Sequence, residues 1–125
     1  MRKYKTIIAG SRAFNNYQKL KEHCDTILRM HLEDEEVEVI IVSGGARGAD
    51  RLGELYAQER GLAVDCHPAD WQKYGRSAGI IRNKEMADSA DALIAFLMAG
   101  EANKGTMNMI NPHCKEWSST LVKVS

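Results

Sequence analysis

Apolar residues along this chain alternate between two patterns. Thr6-Ile7-Ile8-Ala9 is a compact run ended by Gly10, and Val37 to Val42 is a second, rich in Val and Ile. Leu62-Ala63-Val64, Ala92 to Phe96 and a weaker Leu121-Val122 follow. Short, nearly continuous apolar runs predict strands of a parallel sheet covered on both faces. Between them the period is helical. Tyr17, Leu20, Cys24, Ile27 and Leu28 share one face after Asn15 and Asn16, either of which suits the N-cap. Leu52, Leu55 and Tyr56 repeat the pattern, and Gly61 is placed to stop that helix. Ile80, Ile81 and Met86 predict a third helix; Met109, Ile110 and Cys114 predict a fourth, kinked or restarted at Pro112. The order β-α-β-α-β-α-β-α-β predicts a Rossmann-like, doubly wound α/β fold: a mainly parallel five-stranded sheet with helices on both faces and ligands at the carboxyl ends of the strands.

Length makes this one domain, residues 1–125. Lys plus Arg and Asp plus Glu both number 17, so the net charge is zero. That balance disfavours nucleic acid and a membrane surface as partners. Cys24, Cys66 and Cys114 show no metal or redox spacing, and the apolar run after Met1-Arg2-Lys3-Tyr4 is too short for a signal peptide or a span. Both features predict a cytoplasmic setting.

Three strand exits carry the candidate chemistry: Gly10-Ser11-Arg12, then Ser43-Gly44-Gly45-Ala46-Arg47-Gly48-Ala49-Asp50, then Gly100 with Asn103-Lys104-Gly105-Thr106. Glycine lets backbone approach a ligand closely, and a turn opening a helix presents unpaired N–H groups to an anion. Each turn alone equally suits a tight βα connection; three on one sheet edge predict a site. Arg12, Arg47, Arg51, Arg76 and Arg82 fall at or just after predicted strand ends, whereas Glu33, Asp34, Glu35, Glu36 and Glu38 precede the second strand. This predicts a basic pole at the glycine turns, with Arg12 and Arg82 as the leading phosphate contacts. Asp50 suits either the helix dipole or a role at ribose hydroxyls or in fixing Arg12. Trp71 and Tyr74 suit either base stacking or a lid over the core. The P-loop, GxGxxG and GxSxG patterns are missing, and the scattered histidines predict no metal site.

These motifs, together with Pro68-Ala69-Asp70-Trp71, Tyr74-Gly75, Ala78-Gly79 and Arg82-Asn83-Lys84-Glu85-Met86, resemble the YspA/YpsA-related branch of the SLOG superfamily, whose short members are frequent in bacteria and phages. SLOG domains are similar to the lonely-guy phosphoribohydrolases and to DNA-processing protein A. The resemblance implies a site for a nucleotide or an ADP-ribose-like derivative, lined by Gly10, Ser11, Gly44, Gly45, Gly48, Gly105 and Thr106. It implies that Arg82 stands beside the bond that the phosphoribohydrolases cleave. Those enzymes follow the glycine-threonine turn with acidic residues; this chain has Met107-Asn108-Met109. Asparagine hydrogen-bonds a ribose but supplies neither a general base nor a carboxylate's charge.

The expected function is therefore binding of an ADP-ribose- or NAD-like nucleotide, as sensor or sequestering module, through Gly10, Ser11, Arg12, Gly44, Gly45, Arg47, Gly48, Asp50, Arg82, Asn83, Gly105, Thr106 and Asn108. The alternative is a nucleotide phosphoribohydrolase or N-glycosidase using Arg82 and Glu85. Single-stranded nucleic-acid binding ranks third, since aromatics are few. No cofactor is expected. Related folds often pair through helices flanking the site, and no sequence stripe fixes the oligomeric state here.

Overall fold

The computed structural model describes residues 2–98 and 118–124, with side chains described through residue 97. Its elements are β1 (Arg2–Gly10), α1 (Tyr17–Glu33), β2 (Val37–Ser43), α2 (Ala49–Arg60), β3 (Ala63–Cys66), the single turn α3 (Trp71–Tyr74), a 3₁₀ turn (Gly75–Ser77), α4 (Ala78–Ser89), β4 (Ala92–Met98) and β5 (Ser118–Val124). The helix expected around Met109, Ile110 and Cys114 lies outside the described residues. So does the expected turn of Gly100, Asn103, Lys104, Gly105 and Thr106 with Asn108 after it.

The strand order is β3-β2-β1-β4-β5, and every neighbouring pair is parallel. β1, β2 and β4 carry the described core; β3 pairs beside β2 at one edge and β5 beside β4 at the other. The strands extend beyond their apolar cores: β1 begins at Arg2, and Thr6-Ile7 pairs with Ile41-Val42.

Both faces of the sheet are buried at β1, β2 and β4, which is why these strands read as unbroken apolar runs, whereas β3 is largely exposed. Ile8, Ile41, Ile94 and Phe96 pack with Leu20, Cys24 and Leu28 of α1 and with Tyr56 and Ala57 of α2. Ile7, Ala9, Val42, Leu93, Ala95 and Leu97 pack on the other face with Met86 of α4. Gly53 brings α2 close to β1, since a Cβ there would stand 2.8 Å from Ile8 Cβ. The third-helix pattern holds at Met86 and fails at Ile80, which is 58% exposed. Ile80 lies in the first turn of α4, on the side turned away from the sheet.

Helix ends follow local chemistry. The Asn16 side chain accepts from Lys19 N at 3.1 Å and caps α1. Gly61 is left-handed, at φ 70°, and ends α2 while Leu62 N donates back to Ala57 O at 2.8 Å. Tyr56 Oη donates to Asp25 Oδ1 at 2.6 Å and Arg60 pairs with the same carboxylate, tying α1 to α2. Cys24 is buried, and burial pushes its thiol up to about 12.

Gly10 and Gly61 both have positive φ but differ in surroundings. A Cβ on Gly10 would lie 2.1 Å from Phe96 O, whereas one on Gly61 would meet nothing within 4 Å. Gly61→Ala should cost about 1 kcal/mol, the left-handed penalty alone. Gly10→Ala should cost roughly 3 kcal/mol or more, because backbone must move. Urea unfolding of both variants checks the ranking.

Candidate functional site

Because the strands are parallel, β1, β2 and β3 deliver their exits to one edge. The β1 exit is shaped by Gly10, at φ 148°. Ser11 N donates to Phe96 O at 2.9 Å, and Phe14 stacks on Phe96 with centroids 5.2 Å apart. Ser11 is 4% exposed; its Oγ accepts from Ala13 N at 3.1 Å. Its carbonyl accepts from Phe14 N and from Ala49 N, both at 3.2 Å, so the first residue of α2 is bonded to the β1 turn. Gly48, at φ 81°, completes this junction: a Cβ there would stand 2.3 Å from Ser11 O and 2.6 Å from Arg12 Cα. The two glycine turns are thus in direct backbone contact.

The β2 exit is held from behind. Ser43 Oγ donates to Glu54 Oε2 at 2.6 Å and accepts from Gly45 N at 3.1 Å. Asp50 is 7% exposed and accepts from Ala46 N at 3.4 Å. Arg82, from α4, donates through Nη1 to Gly44 O at 2.7 Å and through Nε to Asn83 Oδ1 at 2.9 Å. Gly44 sits between Asp50 and Arg82; a Cβ there would lie 2.8 Å from Arg82 Nη1 and 2.9 Å from Asp50 Oδ2. Burial pushes the Asp50 carboxyl up to about 6, while the N–H groups of Ala46 and Gly44 and the charge of Arg82 hold it down and Glu54 adds to the rise. The arginine charge that acts on Asp50 is that of Arg82, across Gly44, and not that of Arg12, which one reading of the sequence had Asp50 fixing.

The β3 exit closes the third side. His67 N donates to Ser43 O at 2.8 Å, Pro68-Ala69 follow, and Asp70 Oδ1 accepts from Lys73 N at 3.1 Å to cap α3. Arg12, Gly44, Gly45, Ala46, Arg47, Pro68, Ala69, Trp71 and Arg82 line one open cleft of about 420 Å³. Trp71 is 56% exposed and Tyr74 39%, so neither is a lid over the core. A second hollow, about 480 Å³, lies at the amino end of β2 against Arg2, Asp34, Glu35, Glu36 and Val37. It is slightly larger, but acidic and remote from the glycine turns.

The sequence-predicted residues therefore separate. Arg12, Gly44, Gly45, Arg47 and Arg82 meet in the cleft. Gly10, Ser11, Gly48, Asp50 and Asn83 stand behind it and shape it through backbone approach and hydrogen bonds. Arg51, Arg76 and Glu85 are exposed and line neither hollow. Gly105, Thr106 and Asn108 lie outside the described residues. Pro68 and Ala69 were missed as lining residues; their place directly after β3, on the same edge, was the available signal. The Ser43–Glu54 bond was also missed. Among the described residues no group of His, Cys, Asp and Glu is placed to hold a metal ion, and no helix is long and apolar enough to cross a membrane.

A Rossmann-like α/β sheet with a cleft at its carboxyl edge is the class of protein these features define. Residues 4–74 match the YspA, cpYpsA-related SLOG family. The chain is 33% identical over 98 residues to the Gene 61 protein of Mycobacterium phage D29, covering 74% of this chain and 75% of that protein. The chain belongs to the YspA, cpYpsA-related SLOG family. Its fold is similar to that of DNA processing protein A (DprA) from Streptococcus pneumoniae, with a TM-score of 0.54 at 16% identity. That likeness covers 97% of this chain and 58% of DprA, so the chain spans little more than half of that protein.

Asp50 keeps its proton in the fold, up to a pH of about 6, where an ordinary aspartate at 3.8 has lost it. Its contribution to stability is therefore greatest below about pH 4 and falls as the pH rises through about 6. A carboxyl-detected NMR titration should place the Asp50 midpoint near 6, and Arg82→Met should move it higher by removing the nearby positive charge. A midpoint unmoved by that substitution would contradict the influence of Arg82 on Asp50.

Proposed function

We propose that the cleft binds a phosphorylated nucleotide or nucleotide-derived small molecule, ADP-ribose- or NAD-like, and that the protein acts as a sensor or sequestering module. The observation that carries this reading is a cationic mouth without counter-charge. Arg12 and Arg47 are exposed on the cleft rim, and among the described residues neither forms an ion pair. Arginine meets phosphate with a rigid fork of donors, and two such forks suit a phosphate or diphosphate group. Gly44 and Gly45 let backbone come close between them. The cleft volume, about 420 Å³, falls within the roughly 300–1,000 Å³ usual for small-molecule sites.

Binding is favoured over cleavage because no carboxylate lines the cleft among the described residues. Asp50 is enclosed behind Gly44, and Glu85 is exposed elsewhere on α4. Glycosidic hydrolysis needs a group to move a proton or to stabilise an oxocarbenium-like charge.

Calorimetric titration with ADP-ribose, NAD and AMP tests the proposal. At least one should bind, and Arg12→Ala and Arg47→Ala should each weaken it about ten-fold, the loss expected for one charge-assisted contact. No binding of any of the three at millimolar ligand would refute it.

A further inference from the structure

We infer that Trp71 is a base-stacking platform in this cleft, so that the ligand must carry an aromatic base and is a mononucleotide-type molecule rather than a sugar phosphate or free phosphate. The inference rests on the phosphate-binding reading of Arg12 and Arg47 and adds the second half of the ligand.

Trp71 lines the same cleft as Gly44, Gly45, Arg47 and Arg82, yet 56% of it is exposed. The turn that carries it is braced at its backbone. The β3 exit is fixed by His67 N on Ser43 O at 2.8 Å, and Tyr74 N donates to Asp70 O at 3.0 Å across α3. Asp70 caps the same turn through Lys73 N at 3.1 Å. The far end of the indole reaches α4 beside Gly79: Cη2 lies 3.6 Å from where a Cβ on Gly79 would stand, and Arg82 Nη2 lies 3.9 Å from that point. The indole and the Arg82 guanidinium thus flank one small residue at the head of α4.

An indole on a braced turn, more than half uncovered, offers a large apolar surface with only two side-chain torsions to order. Tyr74 is the less suitable neighbour, because Lys73 Nζ already sits 5.1 Å from its ring centroid. Among the described residues, Trp71 has no ring or cation partner. Among the described residues it is also the one aromatic lining the cleft. A single platform beside a phosphate mouth fits one base. Single strands instead use successive aromatics along a basic groove, and this chain has zero net charge.

The experiment compares AMP, ribose 5-phosphate, inorganic phosphate and a fifteen-nucleotide oligo(dT) by calorimetry, on the full chain and on Trp71→Ala and Trp71→Phe. Trp71 is exposed, so circular dichroism should show both variants folded. AMP should bind at least about ten-fold tighter than ribose 5-phosphate, the usual worth of one base–aromatic stack. Trp71→Ala should abolish that ratio while leaving ribose 5-phosphate binding unchanged, and Trp71→Phe should keep most of it. Equal affinities of AMP and ribose 5-phosphate, or a ratio that survives Trp71→Ala, would overturn the base platform and leave phosphate binding standing. Binding of oligo(dT) but not of AMP would overturn it in favour of a strand. Failure of AMP, ribose 5-phosphate and phosphate alike would overturn both this inference and the function it rests on. A shift from dimer to monomer in Trp71→Ala, with AMP binding unchanged, would assign the indole to self-association and overturn the inference.

Discussion

The site depends on two backbone turns being allowed to touch. Gly48 lies so close to Ser11 and Arg12 that a Cβ would stand 2.3 Å from the Ser11 carbonyl oxygen. The same carbonyl receives the first N–H of α2. Gly10 passes Phe96 O as closely on the other side of the β1 exit. Neither contact tolerates a side chain, because the obstacle in each case is backbone and cannot swing aside. Through them the end of β1, the head of α2 and the end of β4 form one rigid corner. Arg12 projects from that corner, so its position relative to Gly44–Arg47 is set by the fold itself.

Charge is divided by depth around the corner. Arg82 is half-buried and spends its donors on Gly44 O and Asn83 Oδ1 while offsetting Asp50. It braces the β2 turn from within. Arg12 and Arg47 are exposed, without ion-pair partners among the described residues, and remain at the mouth. The chain's 17 acidic residues balance its 17 basic ones overall, but the acids at Asp34, Glu35 and Glu36 face the other end of β2. A neutral protein thereby presents opposite poles at the two ends of its sheet.

Much of this was legible in the sequence where the physics is local. Unbroken apolar runs marked β1, β2 and β4 because both sheet faces are covered there, and Asn16 and Gly61 marked helix ends because capping acts within one turn. That the turns at Gly10 and Gly44–Gly48 share one sheet edge was legible because parallel strands send their exits the same way. What was hidden is what chain crossing decides. Arg82 reaches Gly44 from 38 residues away, and no spacing rule pairs them or shows that the charge of Arg82 acts on Asp50. The glycines read as ligand-lining also divide by role. Gly44 and Gly45 line the cleft, while Gly10 and Gly48 serve the contact between turns. A sequence shows that glycine is needed but not what approaches it. Ile80 matched a helical face and is exposed in the first turn of α4, which the helical period alone does not reveal.

On the proposed reading, phosphate is received where the two glycine turns meet and not at the acidic hollow below β2. Backbone amide shifts in a ¹⁵N-labelled sample titrated with AMP test it most directly. The account predicts the largest changes at Arg12, Gly44, Gly45, Ala46 and Arg47, with Asp34, Glu35, Glu36 and Val37 unmoved. Changes centred on residues 34–37, or none at residues 44–47 at saturating AMP, would contradict it.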